Sequence, residues 1–237
     1  MDPRQFYNKT AHVYDERHGS MTTSAIRKRE AAMLSRFMRG RVLDMGCGTG
    51  YHLGRHSGII GLDISDNMLK IAAAKGRQLV QADAARLPFR PGSFDTIISM
   101  FNVMDREDLA YMAHDASAAV KSGGHFLLSM ASVWDNDYTF MKKLRMPEKS
   151  LTKRKSFHVS GSEVKLDLYT VEELEGIFAN SGFEPRYFDS AFIWQRPDWG
   201  NLRPLPIAAR ARLALERILP KRYGCMYFMA FRKMQRP

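Results

Sequence analysis

One stretch constrains this chain more than any other: VLDMGCGTG, residues 42–50. A short apolar run enters, without a break, a turn with glycine at alternate positions, Gly46, Gly48 and Gly50. A run of this length bounded by glycine reads as a buried strand. Glycine lets the backbone take positive φ and approach a ligand with no Cβ in the way. A buried strand opening into such a turn is the ligand-facing corner of an open α/β sheet, where ligands sit beyond the carboxyl ends of the strands. Two ligand classes drop out. A dinucleotide fingerprint needs glycine or alanine at its sixth position, and Tyr51 stands there. A phosphate-binding P-loop needs a Lys–Ser/Thr pair after the glycines, and none follows.

The rest of the chain repeats the alternation. Strands are expected at 58–63, 78–83, 94–101, 125–131, 183–190 and 223–234, and helices at 3–18, 22–38, 65–76, 105–124, 170–182 and 206–219. Ser65 or Asp66, Asp105 and Thr170 stand at helix starts, with Glu173 completing a capping-box pattern. Most of the first five strands are continuous apolar runs, which argues for a parallel sheet covered on both faces. The glycines of 54 and 58 leave room for one short helix at best between the first two strands. The length of 237 residues suits one large domain with insertions.

Hydrophobic residues at 45% and charged residues at 26% exclude a mainly disordered or fibrous chain. Two cysteines, Cys47 and Cys225, cannot build a disulfide framework or a paired-cysteine metal site, so no metal is expected. They suit a reducing, cytoplasmic compartment. The opening MDPRQFYNKT lacks the apolar core of a signal peptide, and no run reaches the length of a membrane span. The net charge of +11 is uneven. Residues 141–158 carry seven basic side chains against Glu148, and 201–237 carry nine against Glu216. Such a surplus reads either as solvated faces or as the border of a site for an anionic acceptor, RNA or an acidic membrane surface.

Acidic or amide residues follow the next strands. Asp63 ends the second, where a carboxylate can accept both hydroxyls of a ribose. Asp83 ends the third, where it can accept a hydrogen bond from an exocyclic amine. Asn102 follows the fourth. With these features in order, the chain resembles the class I S-adenosylmethionine-dependent methyltransferases, in the large type 11 group that includes the quinone-biosynthesis C-methyltransferases. The stretches VLDMGCGTG, GLDISDNMLKIA, QADAARLPF, SFDTIIS, AAVKSGGHFLLS and LYTVEELEGIFANSGFE carry the resemblance.

The resemblance implies a doubly wound, Rossmann-like sheet of seven mostly parallel strands with the last antiparallel, and two basic insertions forming a lid. Residues 1–38 would be an N-terminal helical lid, 39–131 the cofactor-binding half, and 132–168 and 191–221 the substrate-side insertions. The cofactor would be S-adenosyl-L-methionine and the product S-adenosyl-L-homocysteine. Gly46, Gly48 and Gly50 would approach its methionine part, and Asp44 would orient the ammonium. Asp63 would hold the ribose, Ile64 and Met68 would flank the adenine, and Asp83 with Ala84 would read its amino group. Asn102 would lie beside the sulfonium. Only 12 residues separate Gly50 from Asp63, fewer than this family shows. The run from Gly50 through Leu53 to Gly54 also resembles the tRNA wobble-uridine methyltransferases.

Methyl transfer from a sulfonium is an in-line displacement, so positioning and water exclusion matter most. A base is needed only for an acceptor that holds its proton tightly. Tyr7, Tyr14, His18 and His158 are candidates, with Tyr14 preferred. Basic residues set singly among apolar ones in the second insertion favour an anionic small-molecule or lipid-like acceptor. The alternatives are tRNA, and a regulatory domain that binds the cofactor without catalysis. The 206–219 helix, with Ile207, Ala211, Ala214, Leu215 and Ile218 on one face near Trp194 and Trp199, is also able to touch a membrane.

Overall fold

A computed structural model describes residues 2–17, 21–55, 58–75, 78–101, 104–135, 140–146, 151, 153–159, 162–194 and 207–235. Nine strands are present among them: β1 Val42–Met45, β2 Ile59–Asp63, β3 Leu79–Gln81, β4 Phe94–Met100, β5 Val120–Ala131, β6 Arg154–Val159, β7 Ser162–Asp167, β8 Phe183–Ala191 and β9 Met226–Lys233. Seven form one sheet in the order β3-β2-β1-β4-β5-β9-β8. β1 to β5 pair in parallel, and β9 runs antiparallel to both β5 and β8. This is the expected doubly wound sheet. Its strand order reverses between β1 and β4, which opens a cleft at their carboxyl ends.

The helices are α1 Pro3–Arg17, α2 Met21–Phe37, α3 Asp66–Ala72, α4 Arg106–Ala119, α5 Phe140–Arg145, α6 Val171–Asn180 and α7 Ile207–Leu215. Side chains alternate faces along a strand, and the core divides accordingly. Ile97, Phe126 and Leu128 join α4 and α6 on one face. Ile98 and Leu127 join Ile26, Met33 and Phe37 of α2 on the other. Phe178 of α6 stacks on Phe231 of β9 with ring centroids 4.2 Å apart. The capping box of Thr170 and Glu173 forms as the sequence indicates, and Ser65 and Asp105 cap α3 and α4.

Two local expectations change, and the short connection after β1 is as expected. The fourth helix of the pattern ends at Ala119, not at the glycines of 123 and 124, because Val120 already has extended backbone (φ −86°, ψ 143°) and starts β5. The short connection between β1 and β2 holds one 3₁₀ turn, Leu53–Arg55, and the flank of the sheet there is closed instead by Leu53 and Ala72. The first basic insertion contains a two-stranded hairpin, β6–β7, that the sequence reading did not anticipate.

The lysines and arginine entering that hairpin are matched by acids distant in sequence. Lys153 pairs with Glu173, Arg154 with Asp167 and Lys155 with Asp135. Lys143 of α5 is fully buried and donates to the carbonyls of Tyr223 (2.9 Å) and Phe192 (3.4 Å). Much of the local basic surplus is therefore neutralised or buried.

Gly61, mid-β2, is where the sheet meets the glycine loop. A Cβ there would lie 2.9 Å from Cys47 Sγ and from Leu79 Cδ2. Gly61→Val is expected to overpack this contact at a cost of about 1–3 kcal/mol. A thermal melt checks it, and an unchanged midpoint would show that the loop yields freely.

Candidate functional site

The loop after β1 takes the conformation its glycines permit. Gly46, Gly48 and Gly50 have φ of +70°, +52° and +81°. The amides of Gly46 and Cys47 both donate to the Leu62 carbonyl, at 2.8 and 2.9 Å, which ties the turn to β2. At Gly50 a Cβ would press on Leu53 and Ala72, whereas at Gly48 it would meet only Tyr14, 3.8 Å away. The Gly48 side is thus left open for a ligand.

Asp63 closes the arrangement. It is 7% exposed, and its Oδ2 accepts from Gly48 N (2.8 Å) while its Oδ1 accepts from Ser65 N (2.9 Å). Burial raises its pKa, and the amides of Ser65, Gly48 and Ile64 oppose the rise. Each oxygen keeps a lone pair, so the carboxylate is oriented by the fold and still able to accept.

One cavity of about 200 Å³ gathers most of the residues singled out in the sequence. Gly46, Gly48, Asp63, Ile64, Met68, Asp83 and Ala84 all line it, as do Tyr7 and Tyr14. Asp83 is exposed at the end of β3 and accepts from Ala85 N at 2.9 Å. Gly50 lies outside the lining, beneath the turn. Asn102 and His18 fall outside the described residues, as does the side chain of His158.

Helix α1 lies across this cleft, held at two points that the sequence reading missed. Asn8 Oδ1 accepts from Ser65 Oγ (2.6 Å) and Asn67 N (3.3 Å), and Asp15 accepts from Thr49 of the glycine loop. Tyr7 and Tyr14 are thereby set edge-on with centroids 6.5 Å apart. Burial pushes the Tyr14 hydroxyl up to about 12, with Arg27 opposing, and pushes Tyr7 higher still. Both phenols are protonated near neutrality.

Beneath the loop is a buried ionic cluster, also missed. Arg27 Nη1 donates to Glu30 Oε2 (3.2 Å) and to His52 Nε2 (3.0 Å), and its guanidinium lies 3.8 Å from the Tyr51 ring centroid. Glu30 is fully buried, and its Oε1 accepts from Ser129 Oγ at 2.5 Å. Ser129 Oγ in turn accepts from the Phe101 amide at 3.0 Å. Phe101 has φ +58°, an uncommon conformation for a residue with a Cβ, at the point where β4 leaves the sheet into the cleft. Asp44 is 1% exposed and its Oδ2 has no hydrogen-bond partner. Burial pushes its carboxyl up to about 7, with Arg27 pulling down and Asp63 and Glu30 pushing up. The i, i+3 spacing of Arg27 and Glu30 was the available signal, but it is common on solvated helices.

The lining is acidic. Among the described residues it includes Asp2, Asp63, Asp83 and Asp108 and no lysine or arginine.

The family model described as "Methyltransferase domain" matches residues 42–124, which holds β1 to β4, α3 and α4. Protein MJ1252 of Methanocaldococcus jannaschii is 29% identical over 83% of this chain and 82% of its own length. A tRNA (carboxymethyluridine(34)-5-O)-methyltransferase of Arabidopsis thaliana is 34% identical over 55% of this chain, which spans only 34% of that protein. A demethylmenaquinone methyltransferase of Oceanobacillus iheyensis is 29% identical over 60% of this chain and 68% of its own length. The solved S-adenosylmethionine dependent methyltransferase of Mesorhizobium loti shares the fold at 22% identity, covering 88% of this chain and 98% of its own, with a TM-score of 0.60. Sheet order, glycine turn, strand-end carboxylate and these likenesses converge: the chain belongs to the class I S-adenosylmethionine-dependent methyltransferases and is an enzyme of that family.

Proposed function

We propose that this enzyme methylates a small or lipid-like acceptor, quinone-like in carrying an apolar ring. The observation that carries this reading is the cleft's lining. The lining includes Tyr7, Tyr14, Met100, Phe101 and Met104, and its charges among the described residues are all carboxylates. Such a lining favours apolar groups and repels a phosphate backbone. The anionic acceptor expected from the charge surplus therefore finds no basic partner there, and an uncharged ring fits better. The relative named for demethylmenaquinone supports this reading.

The donor set suits the cofactor on the structure's own terms. An unpartnered buried carboxylate oxygen on Asp44 matches a ligand ammonium, taken directly or through water. The open Gly48 face admits a methionine chain, and Asp63, held by two amides, presents lone pairs for ribose hydroxyls. Ile64 and Met68 offer an apolar slot for a purine, with Asp83 and Ala84 at its edge. When bound, S-adenosylmethionine supplies a methyl already activated by the sulfonium charge. The chain's part is to align and to exclude water, with the α1 tyrosines covering the cleft and the Glu30–Ser129–Phe101 chain fixing the turn before Asn102.

A transfer RNA acceptor is the second reading, favoured by the likeness to the Arabidopsis enzyme. It is weakened by the internal pairing of Lys153, Arg154 and Lys155. Incubating the protein with radiolabelled donor and fractionated cell extract separates the two. Label is expected in lipid or small-molecule fractions, and label confined to RNase-sensitive material would overturn the proposal.

Asp63→Asn replaces one accepting oxygen with an amide donor that faces a backbone N–H. Affinity for S-adenosylmethionine should fall at least about tenfold, from an unpaired buried donor. Titration calorimetry measures it, and an unchanged constant would remove Asp63 from the ribose site.

Asp44 makes a pH prediction. An unfolded carboxyl titrates near about 3.9, and here the folded one titrates at about 7. Between those values the unfolded chain has released the proton that the folded chain keeps. Asp44 therefore lowers the stability of the ligand-free protein as pH rises through that window, and not beyond it. Melts of the Asp44→Asn variant should lack this slope. A bound ammonium favours the charged carboxylate, so cofactor affinity should strengthen as pH rises towards 7. The reverse slope would contradict the assignment.

A further inference from the structure

We infer that α7 and its continuation form a docking face for an anionic membrane surface. Amphipathic helices ordinarily bury their apolar stripe. Here the pattern is inverted. Ile207, Leu215 and Ile218 are 85%, 55% and 83% exposed, and Ala211 and Ala214, which share their helical face, are exposed as well. The acid of the segment, Glu216, is turned inward with 0% exposure and accepts from the amides of Phe192 (3.0 Å), Ile193 (2.6 Å) and Trp194 (3.4 Å).

The neighbouring helix α5 repeats the inversion. Lys143 is buried, and Met141 and Leu144 are 57% and 45% exposed. Trp194 joins the two elements: its amide is held by Glu216, its ring lies 5.2 Å from that of Phe140, and it remains 36% exposed. Aliphatic side chains and a half-exposed tryptophan thus surround two buried charges. None of these residues lines the cofactor cleft.

Charge selects the occupant. Residues 207–218 carry Arg210, Arg212 and Arg217, and their acid is sequestered, so the charge left to that segment is positive. Arg217, and Arg145 at the end of α5, are exposed. An apolar face flanked by arginines, with an aromatic at its edge, is the composition that lies in a lipid headgroup layer. RNA would leave the isoleucines and leucines without a stacking or hydrogen-bonding partner. No helix among the described residues is long and apolar enough to cross a membrane, so the contact is peripheral.

The full-length protein should co-float with vesicles of phosphatidylcholine containing about a quarter phosphatidylglycerol, at least about tenfold more than with phosphatidylcholine alone, and salt should weaken the association. The double change Ile207→Glu and Ile218→Glu should reduce that partition at least about tenfold. Both positions are solvent-exposed, so cofactor binding by calorimetry should stay at the wild-type value and certify the fold. Equal partition of the two proteins would overturn the inference. So would a wild-type dimer that the variant dissolves, which would assign the face to a second copy, or loss of RNA affinity in the variant without loss of vesicle binding. These readouts involve no methyl acceptor, so they stand or fall apart from the acceptor proposal.

Discussion

The whole site turns on a carboxylate shared between two turns. Asp63 accepts one amide from the glycine loop after β1 and another from the start of the helix after β2. Without it, two adjacent strand ends would each present a loop with its own freedom. With it, the Gly48 turn, the α3 cap and the β2 terminus share one geometry. Ser65 extends the linkage, since its hydroxyl caps Met68 N and also donates to Asn8 of α1. Three consecutive layers of the cleft, floor, wall and cover, are thus coupled through residues 63–65. Burial favours the neutral acid, and the amides that both Asp63 oxygens accept oppose it.

Beneath that carboxylate the protein buries an unusual density of charge. Arg27 lies close enough to Asp44 and Glu30 to pull both carboxyls down against burial, with His52 beside them. Removing such groups from water costs free energy that a single guanidinium does not fully offset. Burial raises the pKa of both Asp44 and Glu30, the mark of an incompletely compensated negative site. On the proposed assignment, a ligand ammonium beside Asp44 would offset part of that cost. Glu30 also reaches Phe101 through Ser129, so the same cluster is tied to the left-handed turn at the end of β4.

The sheet and the floor of the cleft were legible because they obey local rules. Continuous apolar runs, glycine turns and capping boxes are written in windows of a few residues, and β1, β2, β4 and α6 fall where those windows place them. Gly46, Gly48, Asp63, Ile64, Met68, Asp83 and Ala84 converge because each follows a strand of one parallel sheet. What local pattern does not encode is pairing across long separations. Asn8 meets Ser65, Asp15 meets Thr49 and Glu30 meets Ser129 only once the chain is folded. The β6–β7 hairpin did have a local signal, alternation about Ser160-Gly161, but the surrounding lysines drew the reading towards charge. Tyr14 lines the cleft, and the rise in its pKa comes from burial that a sequence does not show.

Charge makes the same point with a different result in each half of the surplus. A window count treats Lys153, Arg154 and Lys155 as a basic patch, but Glu173, Asp167 and Asp135 approach them from other elements and leave little field to steer a polyanion. In the second segment the count understates the case. Glu216 is withdrawn into the core to hold three amides, Lys221 meets Asp189, and Arg217 stays at the surface beside exposed isoleucine and leucine. Folding therefore converts two similar basic stretches into opposites: a hairpin whose entering cations are paired, and a helix with exposed apolar side chains, none of which lines the acidic cleft.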